Sequence, residues 1–183
     1  MFAVGFGEFT VFVQDGSLPE LYSEYKDRAE FTIERNIGSS EGRAVFCAVA
    51  RGGDWPFCVL SARYAPAGHG FSPGILLVPE TGILFLGAGT LLLAVDLGRR
   101  RQLWEDAAEV GFWSWRRHGG TVVMSAELEL AAWGIGGERR WTTFVEPPWS
   151  YSVGDGIVTL DVMGSLSEFS LQTGPPSARS ERR

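Results

Sequence analysis

Leu93-Ala94-Val95-Asp96-Leu97-Gly98, running on through Arg99-Arg100-Arg101 to Trp104, reads directly against Leu130-Ala131-Ala132-Trp133-Gly134-Ile135, running on through Arg139-Arg140 to Trp141. Each copy is an apolar strand, a charged turn containing Gly, and a second strand that ends in Trp. Trp113-Ser114-Trp115 recurs as Trp149-Ser150-Tyr151, and Gly120-Thr121-Val122-Val123 recurs at the same offset as Gly156-Ile157-Val158-Thr159, with Gly82-Ile83-Leu84-Phe85 as an earlier copy. A fixed period of this length marks a unit that cannot bury both of its faces alone, so neighbouring copies supply the core and the repeated Trp and Leu positions become packing residues. Ser170-Leu171-Gln172-Thr173-Gly174 begins a third, weaker copy.

Working outward, Thr81 to Val95 is the longest run with no charged residue and no His, too short for a spanning helix and broken by Gly82, Gly87 and Gly89. It predicts two buried strands. Thr10 to Val13, Phe31 to Glu34, Ala44 to Arg51 and Pro56 to Tyr64 predict further strands, while Leu18 to Tyr25 suits a loop or a helical turn. The expected organisation is one domain, with an irregular β segment or one blade over 1–73, repeats over 74–174 and a disordered tail over 175–183. Twenty-four Gly and seven Trp suit tight turns between aromatic-faced strands.

The strand, Asp, Gly, basic turn and Trp pattern of Leu93 to Trp104 resembles the repeat of the quinoprotein-like and WD40-like β-propellers, over about residues 74 to 174. Trp133 and Gly134 depart from it where the repeat wants Asp and a turn residue, and no cofactor carries over. The resemblance implies an all-β, propeller-like array of three to four antiparallel blades, finished by the N-terminal strands or by dimerisation. Val78-Pro79-Glu80-Thr81-Gly82 and Phe144-Val145-Glu146-Pro147-Pro148-Trp149 resemble stretches of small bacterial proteins, which implies no activity.

A formal charge of −6 lacks the basic excess that drives binding to phosphate backbones, so nucleic acid is not an expected partner. The N-terminus has no basic region before its apolar residues, which points to the cytoplasm and away from a membrane. Cys47 and Cys58 read as a reduced pair; a hairpin at Gly52-Gly53 would place them opposite each other as a bridge, and Pro56 counts against that register.

Gly87-Ala88-Gly89 has Leu92 where a dinucleotide fingerprint needs its third Gly, and reads as a hairpin turn. Gly38-Ser39-Ser40-Glu41-Gly42 meets the letter of a nucleophile elbow, with His69 or His118 as base and Asp96 as orienter, but strand patterning follows Ser40 where the elbow requires a helix. The two histidines and two cysteines have no metal-ligand spacing, so neither metal nor cofactor is expected. Glu127 and Glu129 alternate in a strand, which places them on one solvated face, and the Arg runs mark turn edges.

The aromatic set Trp113, Trp115, Trp149 and Tyr151, assigned to one strand face, is the best clue to binding, with Glu127 and Glu146 as accompanying carboxylates. The expected function is a non-enzymatic binding module for a protein partner, or a homodimer. The alternatives are a hydrolase using Glu127, Glu146 or Asp161, and a carbohydrate-binding module with exposed Trp.

Overall fold

In the computed structural model, which describes residues 1–65 and 72–176, four sheets follow one another along the chain. The first contains β1 (Phe2–Phe6), β2 (Phe9–Gly16), β3 (Phe31–Arg35), β4 (Arg43–Arg51) and β5 (Cys58–Tyr64), in the order β1-β2-β4-β5-β3, with α1 (Tyr22–Arg28) before β3. The second is the meander β6 (Gly74–Val78), β7 (Ile83–Ala88), β8 (Leu91–Asp96) and β9 (Arg101–Ala107). The third is β10 (Phe112–His118), β11 (Thr121–Ala126), β12 (Glu129–Gly134) and β13 (Arg139–Phe144). The fourth has three strands, β14 (Trp149–Gly154), β15 (Ile157–Val162) and β16 (Ser165–Ser170). All pairings are antiparallel except β3 with β5. The architecture is the propeller-like, all-β array that the repeats predict.

Period-two alternation gives each strand two apolar faces, and stacking buries them. Val11, Val13, Cys47, Val49 and Leu60 of the first sheet pack on Leu77, Leu84 and Val95 of the second. Phe85, Leu92 and Ala94 of the second pack on Phe112, Trp115, Met124 and Trp133 of the third. Val123, Leu130 and Trp141 of the third pack on Val158, Leu160 and Phe169 of the fourth. The N-terminal strands thus cover the second sheet, one of the two endings the sequence allowed.

Both ends of the array are finished without a ring. On the first sheet, Phe46, Ala48 and Val59 turn outward and are covered by Tyr22, Tyr25 and Ala29 from α1 and its end. The far face of the fourth sheet is mostly polar: alternation opposite Trp149, Tyr151, Val158, Leu160 and Phe169 puts Ser150, Ser152, Thr159, Asp161 and Glu168 there, with the exposed Ile157 and Leu166 among them. Stacked repeats need such a polar terminal unit for solubility. The chain turns back after β16, pairs Ser170 with Gly174, and then meets Pro175-Pro176, which cannot donate to a ladder.

The repeat alignment needs one adjustment. Ala94 pairs with Trp104 and Ala132 with Trp141, so the two Trp residues are equivalent as predicted. Each indole donates to the next sheet, Trp104 Nε1 to Gly137 O and Trp141 Nε1 to Leu171 O at 2.8 Å. The strands before them align one residue later than the apolar strings suggest, with Leu92 matching Leu130, because the second hairpin is one residue shorter between Trp133 and Arg139 than between Val95 and Gln102.

Other readings also move. Cys58 lies opposite Val49 and Cys47 opposite Leu60, so the cysteines are diagonal rather than facing, and both are free and buried. Burial pushes the Cys47 thiol up to about 12 and Cys58 well above its ordinary value. Gly87-Ala88-Gly89 ends β7 in the hairpin to β8, and Ser40 stands exposed in a turn before a strand. His69 and the tail from residue 177 lie outside the described residues.

Candidate functional site

The aromatic set divides between two junctions, and a β-bulge divides it. Phe112 pairs with Ala126 and Ser114 with Ser125, leaving Trp113 as the extra residue in β10. Trp115, opposite Met124, therefore faces the second sheet, where it packs against Phe85, Phe112 and Trp133. Trp113 turns the other way and stacks on Trp149, with ring centroids 5.1 Å apart and planes 9° from parallel. The single-face reading of Trp113, Trp115, Trp149 and Tyr151 is thus corrected. Trp115 is core, whereas Trp113, Trp149 and Tyr151 meet between the third and fourth sheets.

Those three residues, with Ser114, Arg116, Ser125 and Ser150, line an open cleft of about 300 Å³. Its floor is polar, because the Ser114 and Ser125 hydroxyls bond one another at 2.8 Å. Trp149 is fixed by its indole, which donates to Glu127 O at 3.0 Å, and its ring lies beside that of Tyr151. Tyr151 meets His118 edge to face. Tyr151 Oη and His118 Nε2 are shielded from solvent and bond to no described residue. Burial raises the Tyr151 phenol and lowers the His118 imidazole, with Arg116 beside His118 adding to the second shift.

Arg116 supplies the charge of the cleft. Its neighbour Arg117 is tied to Glu80 through two bonds of 2.9 Å, whereas Arg116 is exposed and makes no ion pair among the described residues. The arrangement offers flat aromatic surface, hydroxyl groups and an uncompensated guanidinium along one wall. Such a combination suits recognition of a group with an apolar body and an acidic end.

The carboxylates stand elsewhere. Glu127 lies in the turn between β11 and β12 and contributes its backbone carbonyl to Trp149; Glu146 is exposed in the loop after β13. Glu129, expected beside Glu127 on a solvated face, begins β12 and is buried. It accepts from Thr142 Oγ1 at 2.6 Å, from Glu109 N at 3.1 Å and from Arg139 Nη2 at 3.4 Å, and Arg139 also reaches Asp106. Asp161 accepts from Gly164 N in a tight turn.

Larger hollows lie elsewhere, among them one of about 480 Å³ beside the loop that holds Ser39 and Glu41 and two at the outer strands. Of these two, the first, of about 520 Å³, includes Arg35, Arg63 and Glu105, and the second, of about 430 Å³, includes Asp106, Glu129 and Arg139. Arg35 is paired with Glu105, and Arg139 with Asp106 and Glu129. Arg63, in the first hollow, makes no ion pair among the described residues and donates only to Gly42 O at 3.3 Å, so what sets the cleft apart is the stacked aromatic surface beside Arg116. The Arg99 and Arg100 side chains are paired with Asp96 and Glu30.

No protein-family model matches the chain, and no curated protein matches it. Among solved structures it is similar to the computationally designed Ika4 protein at 17% identity and a TM-score of 0.44, over 61% of this chain and 73% of that one. It is similar to hydrazine synthase of Kuenenia stuttgartiensis at 11% identity and a TM-score of 0.46, over 77% of this chain and 46% of that one. With BamB from Moraxella catarrhalis it shares 17% identity and a TM-score of 0.42, over 72% of this chain and 41% of that one. The chain spans less than half the length of these two natural proteins. No helix among the described residues is long and apolar enough to cross a membrane.

Proposed function

We propose that the protein is a non-enzymatic binding module of the cytoplasm, which grips an exposed segment of a partner protein in the cleft between its third and fourth sheets. The observation that carries this reading is the meeting of Trp113, Trp149 and Tyr151 with the unpaired Arg116. Trp, Tyr and Arg dominate the energetics of protein recognition, because Trp and Tyr bury a large surface while ordering few bonds and Arg presents a planar fork of donors. The stacked indoles are already held by packing and by the bond to Glu127 O, so little order remains to be imposed on binding. The occupant is a short segment that places an aromatic or aliphatic side chain on the indoles and a carboxylate on Arg116. Glu127, Glu146 and Asp161 do not line the cleft, which favours binding there over the hydrolase alternative.

Panning a random peptide display library against the whole chain tests this, followed by calorimetric titration of the selected peptides. Peptides pairing an acidic residue with an apolar one are expected, and Arg116→Glu and Trp149→Ala should each weaken them at least tenfold. Peptides that bind both variants as well as the parent would remove the cleft from the proposal. Binding on a glycan array that Trp149→Ala abolishes would select the carbohydrate reading instead.

A further inference from the structure

The first sheet has an unguarded edge. β1 pairs only with β2, and its five residues, Phe2-Ala3-Val4-Gly5-Phe6, contain no charge and no Pro. Phe2 is 59% exposed and Val4 41%, although Phe6 on the same face reaches the core against the second sheet. Exposed, flat, apolar edges are ordinarily blunted by charges, Pro or bulges. Of the other outer strands of the terminal sheets, β3 carries Glu34 and Arg35 and β16 carries Glu168 and runs into Pro175-Pro176, while the uncharged β14 directly follows Pro147-Pro148 and alternates aromatic with Ser residues.

The hairpin determines what this edge can accept. β1 and β2 are joined by Gly7-Glu8, with Gly7 at the positive φ of 62° that the first position of a II′ turn takes. Phe6 and Phe9 are then the hydrogen-bonded pair flanking a two-residue loop, and alternation directs the backbone groups of Phe2, Val4 and Phe6 to β2. Ala3 and Gly5 direct theirs to the open side, away from β2.

We infer that β1 pairs antiparallel with β1 of a second copy about a twofold axis through Val4. In that register Ala3 exchanges both backbone bonds with Gly5 of the second copy and Gly5 with its Ala3. Phe2 lies against Phe6, and Val4 against Val4. No like charges meet, and the exposed Phe2 and Val4 side chains of each strand gain apolar neighbours on the same face from its equivalent. An isologous pairing closes on itself, so it yields a dimer and no fibre.

Sedimentation equilibrium of the full chain tests the inference independently of the cleft. The parent should show about twice its 20.0 kDa, and Val4→Lys, at an exposed position, should return to 20.0 kDa with an unchanged circular dichroism spectrum. Under mild oxidation Val4→Cys should form a covalent dimer, since non-hydrogen-bonded pairs bring side chains closest, whereas Ala3→Cys, facing Gly5, should form at least tenfold less. A parent that stays at 20.0 kDa at the concentrations used, a Val4→Lys variant that stays dimeric, or equal cross-linking at both positions would overturn it.

Discussion

The second and third sheets meet at a junction equivalent to that between the third and fourth, and the two are built differently. At the first, Gly74 and Gly87 lie opposite one another and leave room for the Phe112 ring; a Cβ built on Gly87 would lie 2.4 Å from that ring. At the second, the same two positions are Ser114 and Ser125, and Trp149 takes the place of Phe112. The strands β10 and β6 therefore close to a dry contact, whereas the Ser pair and the bulged Trp113 hold the next junction open. Polarity at this position rises along the array, from Gly74 and Gly87 through Ser114 and Ser125 to Ser150 and Asp161 on the solvent face. A change of two residues per unit thus separates a structural junction from one with room for a ligand.

The strongest test of that comparison removes the aromatic plug from each junction. Phe112 is fully buried, so Phe112→Ala should cost about 3–5 kcal/mol of stability. Half-buried Trp149 should cost about 1–2 kcal/mol as Trp149→Ala, since less apolar surface and one hydrogen bond are lost. Equal losses in urea melts would mean that the second junction is packed as tightly as the first.

Changing the floor of each junction should have a smaller effect on the same urea melts. Gly87→Ala forces the Phe112 ring to shift and should cost about 1–3 kcal/mol. Ser125→Ala, at the matching position, removes one hydroxyl bond and should cost about 1 kcal/mol or less.

The smallest effect expected is a dependence on pH at one junction alone. Burial holds the His118 imidazole below its ordinary pKa, and Arg116 adds to this. The unfolded chain then binds the proton at a higher pH than the folded one, so this contribution is complete above about pH 6.5 and is lost as pH falls through the folded pKa. The matching residue of the second sheet is Val78, which is buried and does not titrate. From pH 7.5 to 5.5, amide protection factors, taken against the intrinsic exchange rate at each pH, should fall in β10, β14 and β15 and not in β6 and β7, and His118→Phe should remove the difference. A uniform fall in protection would assign the acid response elsewhere.

Much of this architecture is legible in the sequence because the repeat writes the same packing residues into each unit. Trp104 and Trp141 mark equivalent strands, and the strings after Gly82, Gly120 and Gly156 mark β7, β11 and β15. The one-residue slip between Leu92 and Leu130 is hidden because a shorter hairpin changes register without changing composition. The bulge at Trp113 is hidden for a related reason: strict alternation puts Trp113 and Trp115 on one face, and one unpaired residue sends them to opposite junctions. Glu129 reads as solvated because its partners Thr142, Arg139 and Glu109 are 10 to 20 residues away in sequence. The polar step from Gly74 and Gly87 to Ser114 and Ser125 was present in the repeat; aligning the first strand of each unit would have revealed it.

The most direct measurement is the indole region of a ¹H–¹⁵N spectrum of the whole chain, titrated with a peptide selected by panning. Six of the protein's seven Trp residues report on the two junctions, and Trp55, stacked on Tyr25 at the first sheet, serves as a reference. Binding in the cleft predicts that the Trp113 and Trp149 signals move with the titration while Trp104 and Trp133, stacked between the second and third sheets, stay in place. Movement of Trp104 and Trp133 with Trp113 and Trp149 unchanged would contradict a cleft between the third and fourth sheets as the binding site.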